Sequence, residues 1–383
     1  MLIRNGNVLL FEESGFVRRD VRVDGGKVAE VASCLMPRDG EPVVEAEGLF
    51  ITPGLIDAHS HICISEEGMG SVCDDCNDYS NPLMPYLDTI DGINPFDRAV
   101  PTALAHGVTA ACVCPGSGSV VGGVSNVISL KGRTADEMIL KRHAAMKCSF
   151  GENPKLAGFS FKSRMGNAYL LRKCLEDALD YRHTKDEAQL HGTYFKKDLG
   201  MENMLLVLNG SMPLHAHAHR ADDICTAIRI AREYSVRLVI VHGTDGARIA
   251  DYLGKAGYPV ISGPSLYPKS KIETLGRSFA SESVLDRAGV KLCITADHDV
   301  MPIYYLSVYA AQAVREGLPP LAGLKAITKN PAEVLGIDDR KGEIRVGRDA
   351  DIALWTDHPL SSSAKVVRTY IEGEEVFSAS EAR

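Results

Sequence analysis

The sequence predicts an α/β protein: a (β/α)8 TIM barrel with a small β-sandwich domain formed by the N- and C-terminal segments. Three observations favour this fold class. Short apolar runs alternate with helical stretches through the middle, both ends are rich in strand patterns, and 383 residues suffice for one large and one small domain. We therefore expect the sandwich to comprise residues 1–50 and 342–383, with the barrel in residues 51–341.

Both ends of the chain have a sequence pattern typical of short strands joined by turns. Residues 7–11 and 21–31 are rich in strand-forming residues, and Asp24-Gly25 is a hairpin signal. The same pattern returns after residue 342. Strand-rich ends around an alternating middle indicate that the two ends pair with each other.

The middle of the chain contains eight apolar runs of strand length, which is the number that a β/α barrel needs. Each run is short and bounded by turn residues or by a helical pattern. The eight candidate strands are 51–58, 108–114, 125–130, 144–150, 213–218, 237–241, 259–262 and 291–296.

Helical patterns separate several of these runs, as in residues 221–233 and 281–287. Residues 166–210 are expected to form a mostly helical insertion between the fourth and fifth strands. The loop 62–95 is rich in Asp, Gly and Pro and is placed to form part of a lid. An open, doubly wound sheet is the alternative, but we find no G-x-G-x-x-G motif after a strand.

Composition excludes several classes of function. A net charge of −8 argues against nucleic acid or an anionic membrane as the main partner. No run approaches the ~18 apolar residues that span a bilayer, and the N-terminus lacks the regions of a signal peptide. We expect a cytoplasmic protein that acts on a small molecule, and a homo-oligomer stays open.

Ten cysteines are scattered along the chain without the density of a disulfide framework. Cys73 and Cys76 form a C-x-x-C that no second C-x-x-C accompanies, and we expect it to be structural. Cys112 and Cys114 lie on one face of an apolar strand and are predicted to be core residues.

Histidines cluster at the predicted ends of strands. His59 and His61 are spaced i, i+2, so both imidazoles point to one side of a strand. The fifth strand carries the H-x-H-x-H of His215, His217 and His219, the sixth ends near His242, and the eighth near Asp297. Active sites of barrel enzymes lie at the C-terminal ends of the strands. A cluster of imidazole and carboxylate suits Zn²⁺, Mn²⁺, Fe²⁺ or Ni²⁺ rather than Ca²⁺.

These motifs resemble the amidohydrolase superfamily over essentially the whole chain. The signature strand is matched by Pro-Gly-Leu-Ile-Asp-Ala-His-Ser-His at residues 53–61, the closing segment by residues 342–352, and the N-P-A-x-x-L-G helix by residues 330–336. Within the superfamily the chain looks closest to the imidazolonepropionase-like and prolidase-like branch. The residues that carry this closer likeness are 107–109, 115–117, 217–224 and 241–244.

The resemblance implies roles for individual residues. His59 and His61 would bind the more buried metal ion, and His217 and His242 would bind a second or shared ion. Asp297 would be both a metal ligand and the proton shuttle. The expected cofactor is one or two divalent ions, with Zn²⁺ as the first choice. His219 is expected to contact the substrate, whereas His215 would be a core residue or would support a ligand.

Binuclear members of the superfamily need a bridging ligand, and two candidates follow the pattern. Lys147 lies within the apolar fourth strand, where a lysine is costly unless it is paired or modified, and carboxylated Lys147 is the first choice. Glu152, directly after that strand, is the second. A mononuclear site with an ion-paired Lys147 stays open.

The function that the resemblance implies is metal-dependent hydrolysis of a carbon–nitrogen bond. The first expectation is a peptide, N-acyl or cyclic amide of a small molecule, cleaved by metal-activated water. The alternatives are an aminohydrolase (deaminase) of a heterocycle and a non-catalytic amidohydrolase-like scaffold. Arg164 is expected to be solvated rather than to hold a substrate carboxylate.

Overall fold

A computed structural model describes residues 1–13 and 15–379, whose strands form two separate sheets. In chain order the strands of these residues are β1 (Leu2–Leu10), β2 (Gly15–Asp24), β3 (Lys27–Ala32), β4 (Val43–Glu45), β5 (Phe50–Pro53), β6 (Leu55–Ser60), β7 (Val108–Val113), β8 (Val121–Ser129), β9 (Ile139–Ser149), β10 (Leu214–Ala218), β11 (Leu238–His242), β12 (Val260–Ser262), β13 (Leu292–Ile294), β14 (Ile352–Trp355), β15 (Val366–Ile371) and β16 (Glu374–Ser378).

Helices lie mainly between the strands of the second half of the chain. In the same described residues the α-helices are α1 (Ala99–Ala105), α2 (Ala135–Met138), α3 (Glu152–Leu156), α4 (Arg164–His191), α5 (Leu199–Leu208), α6 (Ala221–Glu233), α7 (Ala250–Ala256), α8 (Ala280–Arg287), α9 (Leu306–Arg315), α10 (Pro320–Lys325) and α11 (Lys329–Leu335). Across this part of the chain, none of the helices has both the length and the apolar character needed to cross a bilayer.

The predicted barrel is one of the two eight-stranded sheets, and its strands follow one another in chain order from β6 to β13. Each of them overlaps one of the eight apolar runs that the sequence predicts. These strands appear in the sequence as continuous apolar runs because most of them are buried along nearly their whole length. Their apolar residues face both the helices and the barrel interior. The predicted fold class is confirmed.

One barrel strand runs in the opposite direction to the others. β8 pairs antiparallel with both β7 and β9, whereas the sequence predicts a parallel barrel throughout. The reason is the length of the connections: residues 114–120 and 130–138 are too short for the crossover of a dozen or more residues that parallel neighbours need. A pair of hairpins replaces two β/α units at this side of the barrel.

The two edge strands of the barrel sheet, β6 and β13, are joined by side chains. Asp57 of β6 is fully buried, and its carboxylate accepts hydrogen bonds from the backbone N–H of His59 (3.1 Å) and of Ala296 (3.0 Å). Thr295 Oγ1 donates to the carbonyl of His59 at 2.5 Å. These bonds fasten the strand that carries the H-x-H motif to the loop that carries Asp297.

The two ends of the chain meet in the other eight-stranded sheet, whose strand order is β16-β15-β14-β5-β1-β2-β3 with β4 beside β1. β5 pairs antiparallel with β14, and a single residue, Gly54, separates β5 from the first barrel strand. A Cβ on Gly54 would lie only 2.1 Å from Oγ1 of Thr109, so the two sheets approach here closely enough to require glycine.

The expected helical insertion after the fourth strand consists of α4 and α5. Ser163 begins α4 by accepting a hydrogen bond from the N–H of Gly166, and Gly192 ends it in the left-handed conformation at φ 65°. The helix α6 is amphipathic and buries Ile224, Ile228 and their apolar neighbours. These helices cover one side of the barrel and leave its C-terminal mouth open to the loops.

Candidate active site

The predicted histidines and aspartate meet at the C-terminal mouth of the barrel. His59 lies in β6, His217 in β10 and His242 at the end of β11, while Asp297 follows β13 by three residues. His59, His61, His217, His219, His242 and Asp297 are all buried and line one cavity of about 250 Å³. Strand alternation alone places the paired histidines on one face, as the sequence predicts.

Two of these residues have unusual backbone conformations. His242 and Asp297 have φ values of 72° and 56°, in the left-handed region that residues other than glycine rarely adopt. The Asp297 N–H donates to Oγ1 of Thr295 at 2.9 Å, which fixes this turn. Such strain is typical of functional sites, where the surrounding structure holds a side chain in a required direction.

Backbone carbonyls set the orientation of two imidazoles. Nδ1 of His61 lies 2.7 Å from the carbonyl of Cys114, and Nδ1 of His242 lies 2.7 Å from the carbonyl of Gly263. A carbonyl only accepts hydrogen bonds, so both Nδ1 atoms carry the proton and both Nε2 atoms present a lone pair. This arrangement is the one by which proteins orient histidine ligands of metals.

Within residues 1–13 and 15–379, other polar atoms of the cluster have no hydrogen-bond partner although they are buried. Both ring nitrogens of His217 and Oδ1 of Asp297 are of this kind. Unpaired buried polar groups are costly, and proteins keep them where a ligand or an ion completes the site. The Asp297 Oδ1 atom lies 3.3 Å from Nε2 of His59 and 3.3 Å from Nε2 of His61.

The donor atoms fit a divalent transition metal. They form two overlapping groups, one of His217, His219 and His242 and one of His59, His242 and Asp297, with all donor atoms of each group within 4.8 Å of one another. Three or four imidazole and carboxylate donors at this spacing match the chemistry of zinc and related ions.

Burial keeps several imidazoles of the cluster neutral, and neutral imidazoles can bind a cation. It lowers the pKa of His217 and of His219 well below the ordinary value, and it lowers the pKa of His242 to about 3. For Asp297 burial alone would raise the pKa, but the nearby His242, His59 and His61 outweigh it and hold the pKa well below the usual range. The neutral imidazoles of His217, His219 and His242 have the protonation state that a metal ion requires. Burial would also lower the pKa of His61, but the neighbouring Cys76 and Asp297 outweigh it and raise this pKa well above the ordinary value.

The predicted bridging candidates lie in different places. Lys147 is almost fully buried in β9, lines the cavity, and its Nζ lies 3.3 Å from Nε2 of His59. Burial lowers the pKa of Lys147, and within residues 1–13 and 15–379 its ammonium group makes no ion pair. Glu152 does not line the cavity; it begins the short helix α3, and its backbone N–H donates to Glu273. The geometry therefore favours Lys147 over Glu152.

The remaining sequence candidates lie at the edge of the site or outside it. His215 faces the barrel interior below His217, where its ring nitrogens are grouped with the thiols of Cys112 and Cys114. Arg164 is only partly solvated, with 30% of its side chain exposed, and its Nε donates to the buried Asp223 at 3.0 Å. Its side chain is therefore committed to a neighbouring helix.

The C-x-x-C motif separates into two different environments. Cys76 is buried and lines the cavity, whereas Cys73 is half-buried at the end of a 3₁₀ turn, and both are free thiols. Sequence analysis missed the proximity of Cys76 to the site because the fold of the long loop 62–95 brings it there.

Sequence analysis also missed the wall of the cavity that residues 263–279 form. Tyr267, Lys271 and Arg277 line the cavity from this loop, which follows the seventh barrel strand. The available signal was positional: two basic residues lie in the segment directly after a barrel strand, where substrate-binding loops occur.

Comparisons with known proteins agree with this architecture. A family model described as the amidohydrolase family matches residues 50–376. Amidohydrolase tasK of Hapsidospora irregularis is 27% identical, over 94% of this chain and 40% of that protein. An adenine deaminase of Desulfatibacillum aliphaticivorans is 23% identical, over 93% of this chain and 55% of that protein. The chain thus spans about half or less of the length of these two relatives.

Solved structures share the fold at two levels of similarity. An amidohydrolase from Thermotoga maritima MSB8 is 39% identical with a TM-score of 0.96, over 98% of this chain and 99% of that one. A prolidase crystallised with N-methylphosphonate-L-proline has a TM-score of 0.61 over 98% of both chains. At 17% identity, the second likeness concerns the fold alone.

Proposed function

Because this chain belongs to the amidohydrolase family, we propose that it is a metal-dependent hydrolase of a carbon–nitrogen bond in a small molecule. The family membership confirms the resemblance found in the sequence. The observation that carries the proposal is the buried cluster of imidazole and carboxylate donors at the barrel mouth, in which neither ring nitrogen of His217 has a hydrogen-bond partner among the described residues. The cavity of about 250 Å³ at this cluster suits a substrate of modest size.

In this proposal His59, His61 and Asp297 hold one divalent ion, and His217 and His242 hold a second or share the first. Lys147, carboxylated on Nζ, is the bridging candidate because it is buried beside His59 and has no acidic partner among the described residues. Zn²⁺ is the first metal to test. When bound, such an ion acts as a Lewis acid and lowers the pKa of water.

The residues of the chain then supply binding and proton transfer. Asp297 accepts a proton from the attacking water and returns it to the departing nitrogen. Water adds to the carbonyl carbon, the carbon–nitrogen bond breaks, and the products are a carboxylic acid and an amine. His219, whose Nδ1 is held 2.7 Å from Oγ1 of Thr244, presents Nε2 towards the carbonyl oxygen of the substrate.

The first test combines metal analysis with a substrate panel. Protein loaded with zinc is expected to hold one or two ions per chain and to cleave members of a panel of dipeptides, N-acyl amino acids and cyclic amides. The His217→Ala variant should lose metal, whereas His183→Ala, which removes an exposed histidine of α4, should retain it. Release of ammonia from heterocyclic amines without amide cleavage would favour the deaminase alternative.

The scaffold alternative makes the opposite prediction. Protein that stays free of zinc and manganese after loading, and that cleaves nothing in the panel, would contradict the proposed hydrolase. A third variant guards against a folding artefact: Asp297→Asn should retain its fold by circular dichroism while losing at least ~100-fold in turnover, since a general base contributes ~10²–10⁴-fold.

A further inference from the structure

Two basic side chains form a cationic wall beside the metal-ligand candidates. Lys271 and Arg277 both line the cavity from the loop that follows β12. Their charges act on the neighbouring imidazoles, since both contribute to the lowered pKa of His219. This wall, which we call the basic wall, lies next to the ends of β10 and β11 and shares the cavity with Asp297.

The guanidinium of Arg277 is held in place without an acidic partner. Its Nη1 donates to the carbonyls of Tyr267 (2.8 Å) and Pro268 (3.1 Å), and its plane lies over the Tyr267 ring at 5.6 Å. In residues 1–13 and 15–379 it makes no ion pair, and burial lowers its pKa. A partly buried arginine without a counter-ion is costly, and Nε and Nη2 are left to donate to a ligand.

Lys271 is anchored in a similar way. Its Nζ donates to the amide oxygen of Asn153, whose Nδ2 in turn donates to Oγ of Ser117 at 2.6 Å. The acidic Glu273, two residues further along, accepts instead from the backbone N–H of Glu152 at 2.9 Å. The lysine is therefore positioned by the neutral amide of Asn153 in α3, and within residues 1–13 and 15–379 it makes no ion pair.

We propose that Lys271 and Arg277 bind a carboxylate of the substrate, which makes the substrate an anionic amide. Dipeptides, N-acyl amino acids and carboxylated cyclic amides have this character, whereas neutral amides do not. The inference rests on the proposed function and narrows its substrate class. A planar arginine fork is well matched to a carboxylate, and the second cation adds charge without a second fork.

Acidic residues in the cavity lining favour a carboxylate over a phosphate as the ligand. Asp74 and Asp299, from the loops after the first and the eighth strand, line the same cavity. Asp297 also lines the cavity, so three carboxylates would repel a bound anion, and they would repel a doubly charged phosphate more strongly than a singly charged carboxylate. This distribution also gives the substrate a direction, because its anionic end must lie towards the loop 263–279.

Binding to the metal-free 383-residue chain tests the basic wall separately from catalysis, since a carboxylate then cannot bind to a metal ion. The probes are N-acetyl-L-amino acids and the matched N-acetyl amino alcohols, in which a neutral hydroxymethyl group replaces the carboxylate. Calorimetry should show that the carboxylate probes bind ~10- to 100-fold more tightly. Inorganic phosphate is the third probe and should bind more weakly than the carboxylates.

Variants assign the preference to the two side chains. Arg277→Gln and Lys271→Met should each remove most of the carboxylate preference, and Arg277→Lys should restore part of it. Arg315→Gln, which changes an exposed arginine of α9, is the matched control and should leave the preference unchanged. The amino alcohol serves as an internal reference, because a loosened loop would weaken both probes equally.

Three results would overturn the inference. They are equal binding of carboxylate and alcohol probes, a carboxylate preference that survives both substitutions, and tighter Arg277-dependent binding of phosphate than of any carboxylate. The proposed hydrolase fails by a different route, namely the absence of cleavage by zinc-loaded protein, so the two failures are distinguishable. In an active enzyme, the same substitutions should lower kcat/KM for carboxylated substrates and leave kcat/KM for neutral substrates unchanged.

Discussion

Replacing Asp57 with alanine is expected to destabilise the barrel at the seam between β6 and β13. The Asp57 carboxylate is fully buried and is the acceptor for two backbone N–H groups, those of His59 and Ala296. Alanine leaves both donors buried and unpaired, and each unpaired donor costs about 1–3 kcal/mol. The gross loss is therefore about 2–6 kcal/mol.

The substitution also removes the free-energy cost of burying the carboxylate in the wild type, and this offsets part of the loss of stability. Burial raises the pKa of Asp57 to about 6 from its ordinary 3.8, which corresponds to a cost of up to about 3 kcal/mol for keeping it ionised at neutral pH. From the middle of the gross range, about 4 kcal/mol, an offset of up to about 3 kcal/mol leaves a net destabilisation of about 1–4 kcal/mol. That is a large share of the ~5–15 kcal/mol by which proteins are stable.

Urea unfolding of the metal-free protein measures this change, with the fluorescence of Trp355, the single tryptophan, as the probe. Trp355 is buried, and its Nε1 donates to Oγ1 of Thr52 at the junction of the two sheets. Asp251→Ala, which removes an exposed carboxylate of α7, is the control. It should change the free energy of unfolding by no more than about 0.5 kcal/mol, as is typical of surface substitutions. An Asp57→Ala variant as stable as this control would refute the reasoning.

Three further changes test other parts of the structure. Lys147→Met should lower the number of zinc ions bound and leave the metal-free protein at least as stable by urea unfolding. The reason is that an apolar chain of similar size replaces a buried amine that has no acidic partner among the described residues. Unchanged zinc content would exclude a bridging role. Burial raises the pKa of Glu282 to about 7, so the folded protein keeps a proton that the unfolded chain releases near pH 4.5. The free energy of unfolding should therefore fall by up to about 3 kcal/mol between pH 4.5 and 7. Glu282→Gln should flatten this pH dependence, and an equally steep profile in the variant would contradict the prediction. Gly54→Ala should cost ~1–3 kcal/mol in the same unfolding assay, because its Cβ would lie 2.1 Å from Oγ1 of Thr109, and wild-type stability would show that the two sheets can separate there.

The barrel could be predicted from the sequence because its strands are buried on both faces. Such strands appear as continuous apolar runs, and the run that precedes His242 is an example. The direction of β8 could not be predicted in this way, since hydrophobic pattern is the same for parallel and antiparallel strands. The short connections on either side of β8 decide its direction.

The same distinction separates the predicted from the missed residues of the candidate site. His59, His217 and Asp297 were found because each is tied to a strand whose end could be located in the sequence. Lys271 and Arg277 were missed because irregular loop structure, rather than a periodic pattern, determines where their side chains point. The ion pair that holds Arg164 to Asp223 likewise depends on the packing of two helices that the sequence pattern does not specify.

Anomalous diffraction at the zinc edge from zinc-soaked crystals is the most direct test of the central claim. The account predicts one or two strong peaks at the barrel mouth, between His59, His61 and Asp297 on one side and His217 and His242 on the other. Peaks confined to other parts of the surface, or no peak at this cluster in fully soaked crystals, would contradict a metal-dependent site built from these residues.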